Sequence, residues 1–219
     1  PLKPTLDKIK AIKNVREYQI VTAQLDRDGE STMMFGIGVG ADQRNADWNL
    51  VGIGQGGLGL DTRDYYLSDD EQNKRVLEAY KTYLKKLFVL TGYDEATAEK
   101  KMQAVLAIET RIAKASYDQV KLRDVAANYH KMSYMQLVND FPGIDWGNVF
   151  LASGFPAFDA IDVGQPEPIH EVEKILAETS LDDLKTYAEA KVISGASSQL
   201  SDDFRKVSFE FNSVLTGVK

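Results

Sequence analysis

Gly56-Gly57-Leu58-Gly59-Leu60-Asp61-Thr62-Arg63-Asp64-Tyr65-Tyr66-Leu67 is the stretch at which this chain changes physical character. Upstream lies a glycine-rich alternating segment with the period of a β-ribbon, and downstream nearly everything repeats at the helical period. The chain is therefore expected to be mainly α: a multi-helical domain with a small β-hairpin near the N-terminal third. Gly52, Gly54, Gly56, Gly57 and Gly59 permit close backbone approach at the joint. Arg63, Asp64, Tyr65 and Tyr66 follow at once. A guanidinium that donates in a fork to carboxylates or carbonyls is suited to pinning such a loop, so these four residues are expected to be structural anchors, with a ligand contact as the alternative.

The 219 residues suit one large domain or two small ones, and 43% hydrophobic with 10% aromatic residues is enough for a true core. A net charge of -7 argues against a nucleic-acid partner, which needs clustered Lys and Arg. No apolar run approaches membrane-spanning length and no signal peptide opens the chain, so no membrane contact is expected from this segment. Pro1 in place of Met is expected of a chain that begins inside a longer product or after processing. The absence of cysteine excludes disulfides, thiolate nucleophiles and sulfur-based zinc sites.

In chain order, Pro4-Thr5 with Leu6, Ile9 and Ile12 predicts a short helix capped by Thr5, and Asn14-x-x-Glu17 opens a second that runs to Asp28-Gly29. Thr32 to Val39 and Trp48 to Ile53 predict paired strands across a polar turn from Asp42 to Asp47, the hairpin region as a whole spanning 32–60. A hairpin alone is marginal, so it needs a partner surface. Ser68-x-x-Glu71 and Asp94 cap two long helices that turn around Gly92. Ser133-x-x-Gln136 opens a short helix, Asp145 caps another, and Ile161-Asp162-Val163 is one small strand. Pro166-x-Pro168, Ser180-x-x-Asp183 and Ser201 begin the remaining helices, the last carrying Phe204, Val207, Phe211, Val214 and Leu215 up to Gly217.

The chemistry in the chain is sparse. Gly52-x-Gly54-x-x-Gly57 matches a dinucleotide fingerprint formally, but no strand-helix-strand unit follows it. A zincin needs two imidazoles one helical turn apart and a neighbouring glutamate. Only His130 and His170 are present, and in His170-Glu171-Val172-Glu173-Lys174 a lysine stands where the second imidazole belongs. No Gly-x-Ser-x-Gly elbow occurs. Among the carboxylates Glu109 stands out because it sits beside the apolar face of its helix, where it is expected to be the structural partner of an arginine such as Arg123 or Arg63, with a substrate role as the alternative.

Gly57-Leu58-Gly59-Leu60-x-x-Arg63-Asp64-Tyr65-Tyr66 resembles the Gly-Leu-Gly-Leu-Pro-x-Arg-Asp-Tyr-Tyr signature in the non-catalytic half of the zinc metallopeptidase family that includes neprilysin, endothelin-converting enzyme and bacterial oligopeptidase O. Asp61 replaces the family's proline, so the turn loses its fixed φ. The resemblance continues in order through Ile108-Glu109, Arg123-Asp124 with Tyr129, Ile144-Asp145-Trp146 and Leu184-Lys185-Thr186-Tyr187.

The resemblance implies that residues 1–219 are a partial N-terminal helical cap domain of a zinc metalloendopeptidase, restricting oligopeptide substrates by size. The family's zinc helix, third zinc ligand and Asn-Ala-x-Tyr substrate strand belong to its C-terminal half, and none of these motifs is in this sequence. No catalytic or metal residue can therefore be assigned here, no substrate-binding residue can be named, and zinc is expected in the parent protein alone. The implied partners are the C-terminal catalytic domain, against which the 32–60 hairpin is expected to dock, and peptide substrates. The lack of cysteines points to a bacterial member; the segment itself carries no sign of location, and the resemblance implies a periplasmic or cell-surface one. The alternative is a free-standing helical peptide- or protein-binding module, and what the gene encodes after Lys219 separates the two.

Overall fold

A computed structural model describes residues 1–217; Val218 and Lys219, the end of the expected domain, lie outside the described residues. Helices dominate, with one small sheet, as the change of period at Gly56 predicts. The elements are α1 (Lys3–Lys10), α2 (Val15–Arg27), β1 (Phe35–Asp42), β2 (Asn45–Gln55), α3 (Asp64–Leu67), α4 (Glu71–Leu90), α5 (Glu95–Ala115), α6 (Gln119–Leu122), β3 (Lys131–Ser133), α7 (Tyr134–Asp140), α8 (Trp146–Ser153), β4 (Ala160–Val163), α9 (Pro166–Glu178), α10 (Leu181–Ala196) and α11 (Asp202–Thr216).

α10 is the central helix of the bundle. Leu184, Tyr187, Ala188, Ala190, Val192 and Ile193 are buried on several of its faces, the pattern of a helix with neighbours all round. α1, α2, α4 and α5 pack against it. α4 contributes Val76, Tyr80, Tyr83, Leu84, Leu87 and Phe88, and α5 contributes Val105, Leu106, Ile108 and Ile112. α9 lies on α5, while α2 packs against α8 around Trp146, Val149 and Phe150.

Most helix starts follow the sequence signals. Asn14 accepts from Glu17 N–H at 2.9 Å, Asp94 from Thr97 N–H at 2.8 Å, and Ser180 from Asp183 N–H at 3.1 Å. Ser133 and Gln136 form a complete capping box. Three caps differ. Thr5 lies inside α1, which starts at Lys3 without a side-chain cap, because Pro4 suits the first turn. Asp70 rather than Ser68 caps α4; Ser68 Oγ accepts from Asp70 N–H at 3.1 Å, so the two side chains share the turn. Asp145 precedes α8 without a side-chain cap bond, its carboxylate being held by Arg16 at 2.9 Å and Asn148 at 2.8 Å.

The sheet contains an unforeseen pairing. Its order is β1-β2-β4-β3, with β2 and β4 parallel and the other pairs antiparallel. The partner surface that the hairpin needs is thus a second antiparallel pair, joined to it through Val51, Gly52 and Ile53. The first strand lies three residues further along than the sequence suggested and the second is longer, leaving Gln43 and Arg44 as the turn. Thr32 and Met33 precede the ladder, and the Thr32 hydroxyl donates to Thr22 O at 2.7 Å.

The hairpin outruns β4, and its tip is tied down by charge. Asp42 accepts from Lys131 Nζ at 2.7 Å, Tyr129 Oη at 2.8 Å and Arg44 N–H at 3.0 Å, while the Arg44 guanidinium stacks 4.4 Å above the Tyr129 ring. The Lys131 ammonium, then the Arg44 amide and the Tyr129 hydroxyl, hold the Asp42 carboxyl at about 2, below its ordinary 3.8. A carboxyl depressed in the folded state contributes stability that is present above its unfolded value and lost as pH falls through the folded one. Asp42→Asn should therefore flatten the acid limb of stability between about pH 4 and pH 2, read as the slope of thermal midpoint against pH.

Candidate functional site

The feature around which the elements converge is a buried carboxylate beneath the glycine loop. Glu109 lies on the inner face of α5 and is fully buried. Its Oε2 accepts from Tyr66 Oη at 2.8 Å and its Oε1 from Tyr80 Oη at 3.1 Å, while Lys191 Nζ forms an ion pair with Oε1 at 3.1 Å. These donors come from α3, α4 and α10, so one anion joins four helices. Burial, with the negative charge of Glu109 next, pushes the hydroxyls of Tyr66 and Tyr80 far above the usual phenol range. Both therefore stay protonated and act as donors to the carboxylate.

Tyr66 and a third phenol, Tyr187, hold the loop. Tyr66 Oη accepts from Gly59 N–H at 3.1 Å and Leu60 N–H at 3.0 Å while donating to Glu109, and Tyr187 Oη donates to Gly57 O at 2.6 Å. Glycine is needed here for two distinct reasons. Gly57 has φ +86°, and a Cβ on it would lie 2.8 Å from Met34 Cα. At Gly59 a Cβ would fall 1.8 Å from Tyr80 Oη and 3.0 Å from Glu109 Oε1, so the backbone itself forms the lid of the carboxylate pocket.

The structure places the six expected anchors in different settings. Arg63 Nη1 donates to Ser116 O at 2.6 Å, a cation on the carbonyl that caps α5. Asp64 is the exposed first residue of α3, and its carbonyl accepts from Ser68 N–H at 2.9 Å. Tyr65 packs partly buried against the core, and Tyr66 reaches Glu109. Arg123 is exposed at the end of α6. The arginine partner expected for Glu109 is a lysine instead, Lys191, because α10 and not the loop of Arg63 or Arg123 crosses the buried face of α5. Tyr80, Tyr187 and Lys191 are the members that sequence reasoning missed as site residues; Tyr187 and Lys191 share a helical face at i, i+4 spacing, the one local signal that pairs them.

A second charged pair joins the same two helices with the signs reversed. Lys101 of α5 meets Glu189 of α10 at 2.9 Å and lies 4.3 Å above the ring of Tyr93, whose hydroxyl donates to the same Glu189 at 2.8 Å. With Glu109 and Lys191, the pair fixes how α5 lies across α10.

The two histidines lie in separate settings. His130 Nδ1 bonds Val163 O at 2.9 Å, while His170 Nδ1 bonds Glu173 at 2.9 Å and its ring stacks on Phe141. Among the described residues no group of three or more His, Cys, Asp or Glu side chains could hold a metal ion. No helix among them is long and apolar enough to cross a membrane. The described residues do not fit a zinc centre.

Two substitutions test the site. Glu109→Ala leaves the Lys191 ammonium without its counter-ion in the core and is expected to cost about 3–5 kcal/mol of stability in urea unfolding. Gly59→Ala should cost at least the upper end of about 1–3 kcal/mol, since the added methyl meets Tyr80 at bonding distance and something must shift.

Comparison with known proteins places this geometry in context. The model of peptidase family M13 matches residues 1–219. Endothelin-converting enzyme 1 of Rattus norvegicus is 31% identical over 210 residues, which cover 92% of this chain and 26% of that protein. Zinc metalloprotease Zmp1 of Mycobacterium tuberculosis, in its open state, superposes with a TM-score of 0.93 at 29% identity, over 100% of this chain and 34% of that one. PepO from Lactobacillus rhamnosis shares the fold at a TM-score of 0.78 and 16% identity, over 99% of this chain and 34% of that one. The chain thus spans between a quarter and about a third of the length of these relatives.

Proposed function

Because the chain belongs to peptidase family M13, we propose that it is the N-terminal, substrate-restricting portion of a zinc-dependent metalloendopeptidase that hydrolyses oligopeptides. The observation that carries this reading is the superposition on a zinc metalloprotease over the whole of this chain and 34% of the other. In this reading the zinc ligands, the general base and the substrate strand lie in the C-terminal catalytic half of the full-length protein. The present segment is inactive alone.

Its contribution is a wall. A chamber that shuts out bulk water and large polypeptides raises the strength of electrostatic contacts inside it and limits substrates by size. Such a wall has to keep its shape when a peptide presses against it, and the Glu109 cluster ties α3, α4, α5 and α10 together. Residues 1–219 act as one cap domain, and the hairpin within 32–60 docks on the catalytic half. A periplasmic or cell-surface location belongs to the same reading.

The full-length protein should cleave short oligopeptides, lose that activity on chelation and regain it with zinc, and leave large protein substrates uncut in the same assay. Cleavage of large proteins as fast as short peptides would overturn the size-restricting role. Peptide hydrolysis insensitive to chelation would overturn the enzyme class.

A further inference from the structure

We infer that the free edge of β1 is a docking edge, to which an extended strand from the catalytic half of the full-length protein adds by main-chain hydrogen bonds. The inference rests on the cap reading above and gives the hairpin contact its chemistry.

In the order β1-β2-β4-β3, β1 has β2 on one side and, among the described residues, no strand on the other. Every second residue of an antiparallel strand turns its N–H and C=O away from its partner, so Phe35–Asp42 carries a row of such groups. Natural edges of this length are blunted by lysine, proline, a bulge or a covering segment. From Gly36 to Ala41 the sequence is Gly-Ile-Gly-Val-Gly-Ala, without charge or proline, and the register shift falls beyond it, between Ala41 and Asp42.

The edge is open and also held in place. A Cβ on Gly36, Gly38 or Gly40 would meet nothing within 4 Å, so the face of the ribbon on which these three glycines lie is uncovered beside that edge. The tip is fixed from the opposite side of the sheet, where Lys131 and Tyr129 grip Asp42. Val39, paired with Val51 at the last register that β4 supports, is 61% exposed, and Trp48 beyond it is 69% exposed. A projecting two-stranded ribbon with apolar side chains outward is marginal in water unless another surface meets it.

The occupant follows from chain length. The matched relatives are three to four times as long as the matched segment, which covers 26% of one and 34% of another. A strand in the same polypeptide competes for the edge at a high effective concentration, which a second copy in dilute solution does not reach. A substrate peptide leaves at each turnover and would uncover the edge again.

Amide hydrogen exchange on the full-length protein, dilute and without substrate, tests this. With a strand on both sides, every amide from Gly36 to Ala41 should exchange on the order of a hundredfold or more slowly than an unpaired amide, the scale of local opening in a paired strand. Protection that alternates along β1, with every second amide exchanging freely, overturns the proposal. So does protection that appears only on adding peptide, or that rises with protein concentration, since these assign the edge to substrate or to a second copy. Chelator-sensitive peptide cleavage is read on the same sample. Cleavage with an open edge removes strand addition alone, whereas a closed edge without cleavage supports strand addition and removes the peptidase reading.

Discussion

Glu109 enters the core as an anion surrounded by three donors, and the arrangement of the helices depends on keeping those donors in place. A buried carboxylate is costly unless it is paired and hydrogen-bonded, so any packing that moved α3, α4 or α10 away from α5 would strand a charge in an apolar interior. An aliphatic side chain at position 109 would tolerate sliding; a carboxylate with two phenols and an ammonium does not. We read the cluster as a device for specifying one geometry rather than for adding net stability. The reversed pair of Lys101 and Glu189 supports that view, because interchanging the signs between α5 and α10 disfavours any shifted alignment.

The loop above the carboxylate makes the joint between ribbon and bundle rigid. Tyr66 is bonded on both sides, accepting from the backbone of Gly59 and Leu60 and donating to Glu109, so the path of the chain leaving β2 is set by the same group that sets the helices. Tyr187 adds a hold on Gly57 from the central helix. Glycine at position 59 is a consequence of this arrangement, since the backbone has to approach closer to Tyr80 than any Cβ allows.

The local layer was legible in the sequence, and the non-local layer was not. The stripes of α4 and α5, the caps at Asn14, Asp94, Ser133 and Ser180, and the hairpin itself are written in neighbouring residues and follow from period and turn chemistry. A cap position failed where two candidates stand close together: Ser68 takes the amide of Asp70, and Asp70 takes those of Gln72 and Asn73 that open the helix. The β2–β4 pairing was invisible because a parallel contact between segments more than a hundred residues apart leaves no local trace, and Lys131-Met132-Ser133 carries no strand signature. Glu109 was identified from its place beside an apolar face, but helical period says which face is buried and not which helix buries it. An arginine from the conspicuous Arg-Asp turns therefore stood in for the lysine that α10 delivers.

The hairpin and the carboxylate cluster are parts of one device. β2 runs directly into the pinned loop, so the direction in which the ribbon leaves the bundle is fixed by Tyr66 and Tyr187 at its base and by Asp42 with Lys131 at its tip. Held at both ends, an open edge keeps its main-chain groups in register with the body of the cap. A flexible ribbon would have to be ordered on docking and would lose part of the contact energy to that ordering. The glycines that weaken the strand as an isolated structure leave its backbone accessible, and the polar anchors supply the rigidity that its side chains do not.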